Sequence, residues 1–164
     1  MATDPEAWTT FAAALVAASS ALAGLIFVAL SINVERIIAL AGLTTLALEG
    51  IVVLTMILIA SIVVLVPGQS ASTLALELAV VGVGHVVIIG ALLRLTLRVA
   101  MAEFRTRRIM MATLNGLPGL LVLVAGIGLA SASLGGLYWL VPATILGLVA
   151  GIANAWVLLV EIKR

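Results

Sequence analysis

Five uninterrupted apolar runs, near residues 8–33, 43–66, 73–93, 110–132 and 137–160, dominate this chain of 164 residues. Each matches the roughly 20 apolar residues that a helix rising about 1.5 Å per residue needs to cross a bilayer core. Backbone polar groups in hydrocarbon must be satisfied internally, so only helices or a closed barrel suit such segments. A barrel strand alternates apolar and polar residues, whereas these runs are continuous. Helices are the expectation. Charged residues make up 9% of the chain and hydrophobic ones 65%, against about 25% charged in a soluble domain. The reading is therefore all-α: a single transmembrane domain over 1–164, built as a bundle of five spans. Pro67-Gly68-Gln69-Ser70 marks a tight turn after the second span, with Ser72 expected to cap the third. Ser133-Leu134-Gly135-Gly136 marks another after the fourth.

The basic residues orient the bundle. Arg36 falls between spans one and two, Arg94, Arg98, Arg105, Arg107 and Arg108 around the third connection, and Lys163 with Arg164 at the end. With five spans these three places share one side, and all 8 Lys and Arg residues lie there. The positive-inside rule then predicts a cytoplasmic C-terminus and an outside N-terminus in a bacterial inner membrane. Trp8, Tyr138 and Trp139 are expected at the outer interface and Trp156 at the inner one, as an aromatic belt. The acidic start, Met1-Ala-Thr-Asp-Pro-Glu6, and the length of the first run argue against a cleaved signal peptide.

The segment 94–109 reads as a helical extension into the cytoplasm. Arg98, Arg105 and Arg108 recur at helical spacing, Met101 and Phe104 are available to lie on lipid, and Glu103 pairs with Arg107 at i, i+4. Such a basic face either sets topology alone or also holds anionic lipids. Five arginines beside a membrane need no nucleic acid to explain them.

Helices in lipid associate through close backbone approach and polar contacts. Ala143, Gly147, Gly151 and Ala155 place a small residue every four positions along the fifth span, including a GxxxG. Ala13, Ala17, Ser20 and Gly24 make a similar stripe on the first. These faces serve either packing within the chain or a homo-oligomer seam. In a bundle this small, any pore belongs between subunits.

Ionisable groups within a span cost about 2.5–3.5 kcal/mol at its centre on insertion scales, so they are candidate sites. Glu49 lies two turns into the second span, and Arg94 ends the third on the same side; the two are placed to pair, either as a register-setting ion pair or with Glu49 lining an ion path. Glu77 sits in the second turn of the third span, near water and a helix N-terminus. His85 falls near mid-membrane, where Gly82 and Gly84 leave room for another helix or for water, as a hydrogen-bonded imidazole or a proton sensor. Pro118 frees the carbonyl of Leu114 and is expected to kink or break the fourth span. Asn115 and Asn154 lie at the depth of Glu49, which suggests a polar layer in the cytoplasmic third. Broken helices at depth form ion and substrate sites in some transporters, but the five spans do not divide into matching halves.

The chain has no P-loop, HExxH or GxSxG with a separate His, and no paired-Asp motif. It has no cysteine and one histidine, so thiol chemistry and a protein-built metal site are not expected. No cofactor and no enzymatic activity are read from it.

Four segments carry a resemblance: Ala18 to Asn33 (ASSALAGLIFVALSIN), Leu65 to Gln69 (LVPGQ), Gly136 to Pro142 (GLYWLVP) and Asn154 to Glu161 (NAWVLLVE). They resemble a group of small actinobacterial-type polytopic membrane proteins, some of which are called modulators of FtsH protease. The resemblance touches four of the five spans and implies an accessory protein, with a membrane protease as one partner; it transfers no catalytic or binding residue. The expectation is a homo-oligomeric interaction protein. Its rival is an oligomeric channel or small transporter lined by Glu49, His85, Asn115 or Asn154.

Overall fold

A computed structural model describes the backbone of residues 3–39, 41–99 and 102–159, and their side chains except at 36, 41, 42, 99 and 102–104. Lys163, Arg164, Met101 and the expected Glu103–Arg107 pair lie outside the described residues, as does the Arg36 side chain. Five helices make up the fold: α1 (Thr9–Ala39), α2 (Ala41–Val64), α3 (Ala71–Val99), α4 (Ala102–Ala130) and α5 (Leu140–Leu159). Single 3-10 turns, Pro5–Trp8 and Gly136–Trp139, lead into α1 and α5. No strand occurs among the described residues. All five helices are long and apolar enough to cross a membrane.

Helix α2 touches each of the other four, and α3 packs most extensively on α4. That second interface is made by glycine. A Cβ added at Gly82 would lie 2.6 Å from the Leu123 amide nitrogen and 2.7 Å from the Gly119 carbonyl oxygen. One added at Gly126 would lie 2.7 Å from the Ala75 carbonyl oxygen. Backbone therefore meets backbone, which maximises dispersion where burial against lipid contributes no hydrophobic gain.

The two predicted stripes part company. Ala143, Gly147 and Gly151 are buried against α2, with Ala155 half-buried, and a Cβ at Gly147 or Gly151 would meet Ile57 or Leu54 side chains. Ala13, Ala17, Ser20 and Gly24 are all exposed, and nothing lies within 4 Å of a Cβ at Gly24. The α5 stripe is spent inside the chain; the α1 stripe faces outward.

The turns differ in detail from the expectation. Ser70, not Ser72, caps α3: its Oγ accepts from the Thr73 amide at 3.1 Å, because the helix already begins at Ala71. Helix α4 ends in a Schellman arrangement, with Ser133 N donating to Gly128 O at 3.0 Å and Ala132 N to Leu129 O at 3.3 Å. Ala132 takes the left-handed position (φ 49°) that glycine usually fills.

The basic segment is not one extension. Helix α3 runs on through Arg98 to Val99, and α4 begins at Ala102, so Arg98 sits on one helix while Arg105 and Arg108 sit on the other. The expected single stripe of Arg98, Arg105 and Arg108 is thus divided between two helix ends. At the opposite end Trp8 is buried, edge-on to Tyr138 at 5.1 Å and to Phe11 at 5.6 Å. It plugs the bundle beside Leu15, Val64 and Leu140, whereas Tyr138, Trp139 and Trp156 are exposed.

Backbone contact tolerates a methyl less well than side-chain contact does. Gly82→Ala is expected to cost about 2–3 kcal/mol, because α3 and α4 must separate. Gly147→Ala is expected to cost under about 1 kcal/mol, since only the mobile end of Ile57 must give way. Thermal unfolding in detergent followed by far-UV circular dichroism checks the order, and equal losses would refute the backbone seam.

Candidate functional site: a buried polar layer centred on Asn115

Lipid-facing helices rarely carry amides and carboxylates unless these find partners. Here they find one another. Glu49 and Asn115 are 2% exposed, Asn154 and His85 3%. Asn115 Nδ2 donates to Glu49 Oε2 at 2.6 Å, and Asn154 Nδ2 donates to Asn115 Oδ1 at 3.3 Å. His85 Nε2 lies 2.8 Å from the Asn115 backbone carbonyl oxygen. A carbonyl only accepts, so this ring nitrogen carries the proton. One residue of α4 thereby joins α2, α3 and α5.

Local sequence explains why Asn115 can do this. Pro118 has no N–H, so the Leu114 carbonyl loses its helical donor and the start of this turn is weakened. The histidine bonds the next carbonyl along, that of Asn115. Gly119 supplies the space, since a Cβ there would lie 2.4 Å from His85 Cδ2. Gly50 does the same for α5, whose Asn154 Cβ would lie 3.1 Å from a Cβ at that position. The expected break does not occur: α4 runs unbroken through Pro118, which is itself buried. Packing on both sides and the His85 bond hold the turn helical.

Glu49 does not take Arg94 as its partner. Arg94 is exposed on α3 and makes no ion pair or hydrogen bond among the described residues. The cation that acts electrostatically on Glu49 is Arg108 of α4. Two turns of α4 therefore supply both the amide and the positive charge that accompany this carboxylate. Glu77 is half-buried and accepts from Gln69 Nε2 across the α2–α3 turn, rather than relying on the helix end alone.

Asn33, at the end of the first span in sequence, makes a separate tie beyond the layer. Its backbone leaves the helical region (φ −117°, ψ 17°) and kinks α1. Its Nδ2 donates to the Ala29 and Leu158 carbonyls, both at 3.1 Å, fastening α1 to the end of α5. The available signal was an amide near the end of an apolar span. His85 Nδ1 is buried without a hydrogen bond of good geometry, and the Val52 backbone of α2 also acts on the ring. No group of three or more His, Cys, Asp or Glu placed to hold a metal occurs among the described residues.

Chemically the layer is a set of ties with no open face. Each interhelical hydrogen bond between membrane helices contributes about 0.6 kcal/mol on average and up to about 1.7; bonds to a charged acceptor are the stronger ones. Asn115→Ala is expected to cost about 2–3 kcal/mol, because it removes two bonds and leaves the Glu49 carboxylate without its donor. Asn154→Ala, losing only the 3.3 Å contact, should cost about 0.5 kcal/mol. Glu49→Gln keeps an acceptor oxygen but gives up the charge, so it should cost less than Asn115→Ala. Unfolding midpoints in detergent decide this, and an Asn154→Ala loss matching that of Asn115→Ala would remove Glu49 from the centre of the network.

Comparison with protein-family models, with curated proteins and with solved structures finds no match to the chain, so its functional reading rests on its own geometry.

Proposed function

We propose that this chain is a multi-pass protein of a bacterial inner membrane, with its N-terminus outside and its C-terminus in the cytoplasm. In this reading it is a non-enzymatic accessory protein that acts by lateral association with copies of itself and with another membrane protein, of which a membrane protease is one candidate. The observation that carries the reading is the inward closure of the polar layer. Glu49, His85, Asn115 and Asn154 are consumed in joining helices of one subunit. A pore between subunits would not be lined by them, which favours an accessory role over the channel reading. What the bundle offers its surroundings is instead the exposed small face of α1, Ala13, Ala17, Ser20 and Gly24, where a second helix can approach closely. Anionic headgroups are the expected lipid partners of the exposed Arg98 and Arg105.

The natural absence of cysteine makes single-cysteine reporters clean. Ala17→Cys and Gly24→Cys are expected to form cross-linked species in native membranes, and adding Leu at the other position should abolish them. The lack of any cross-linked product at both sites would refute lateral association through α1. Orientation is read separately: Ser72→Cys should react with an impermeant maleimide in intact cells, and Arg105→Cys only after permeabilisation. The reverse pattern would invert the topology.

A further inference from the structure

Arg94 is a charged side chain exposed on a helix that is otherwise suited to hydrocarbon, and no described residue neutralises it. Its surroundings are ordered along α3. At 3.6 residues per turn, Gly84, Ala91, Arg94 and Arg98 fall on one face. Two of them are low points. A Cβ at Gly84 would meet nothing within 4 Å, and Ala91 is small and exposed. To one side stand Val83 and Val87, and to the other Ile88 and Leu95, all exposed. Gly84 and Ala91 therefore form the floor of a shallow trough with branched apolar walls, and the two arginines close its basic end.

We propose that this face of α3 seats one anionic phospholipid, with its phosphate held between Arg94 and Arg98 and one acyl chain lying in the trough over Ala91 and Gly84. Lengths agree with that occupant. Ten residues separate Arg94 from Gly84, about 15 Å along the axis, which is half of a hydrocarbon core about 30 Å thick. The trough thus runs the depth of one leaflet, from the headgroup border to the midplane. Guanidinium groups one turn apart present forked donors that suit a phosphate, and the anion supplies the counter-charge that Arg94 lacks within the described chain. A soluble phosphate would use the arginines but leave the trough unexplained. The seat rests on the membrane placement proposed above and adds to it a lipid class and a residue set.

Native mass spectrometry of the full chain in detergent, titrated with phosphatidylglycerol or phosphatidylcholine, tests the seat. The parent is expected to retain one phosphatidylglycerol per subunit in preference to phosphatidylcholine, and millimolar glycerol phosphate should not displace it. Arg94→Gln with Arg98→Gln should weaken retention about thirtyfold, as expected for two surface arginines. Arg107→Gln with Lys163→Gln, an equal loss of charge, should leave it unchanged. Gly84→Leu with Ala91→Leu should weaken it with every arginine in place. Undiminished retention in the Arg94/Arg98 variant, or an equal loss in the Arg107/Lys163 variant, would overturn the seat. So would displacement by glycerol phosphate, which would indicate a headgroup site without a chain. The maleimide labelling above has no lipid dependence. An inverted pattern there topples the placement itself, whereas a normal pattern with undiminished retention topples the seat alone.

Discussion

The architecture depends on Asn115 more than on any other side chain. Its amide nitrogen holds the Glu49 carboxylate, its amide oxygen takes a bond from Asn154, and its backbone carbonyl takes one from His85. Helices surrounded by hydrocarbon have no hydrophobic reason to prefer each other over lipid. Their relative rotation and register must come from directional contacts and close approach. A residue that bonds three other helices sets both for α2, α3, α4 and α5 at once. Asn33 extends the arrangement to α1 through the end of α5.

Glycine does the complementary work. Hydrogen bonds choose which faces meet, and the missing side chains at Gly82, Gly119 and Gly126 let α3 and α4 come together at backbone distance. The two devices overlap at Gly119, where the His85 ring occupies the space a Cβ would take. Pro118 sits between them. Its missing N–H would weaken an isolated helix there, but within this bundle the neighbouring ties keep α4 continuous. With the polar groups turned inward, the outer surface is left with apolar side chains, the small face of α1, and the arginines at one end. Those features carry the functional proposals.

Much of this was legible in the residues. Continuous apolar runs of about 20 residues admit few alternatives to helices, and the five predicted spans match five helices to within a few residues at most ends. Glu49, Asn115 and Asn154 also fall in one layer by residue count alone, because counting residues along a helix measures height directly. Partners were not legible. Glu49 and Arg94 lie toward the same end of neighbouring helices, but position along the chain says nothing of which way a helix is turned. Rotation puts Arg94 outside and brings Asn115, with Arg108 behind it, to the carboxylate. For the same reason the two small stripes looked equivalent in sequence although one is buried and the other exposed. Gly82 reads in sequence as room for a neighbouring helix, but its partners Gly119 and Gly126 belong to another helix, and neither helix carries a dense repeat on its own.

The sequence by itself determined that this chain is a set of five apolar helices with its basic residues gathered at one end. Those properties follow from composition along the chain and from the backbone's need to bond to itself where water is absent. Only the tertiary structure decided which polar groups meet, that α4 survives its proline, which small face is spent inside, and where a cation is left without a partner. Those outcomes depend on how each helix is rotated against its neighbours. Rotation is set jointly by contacts between residues far apart in the chain, which no single span contains.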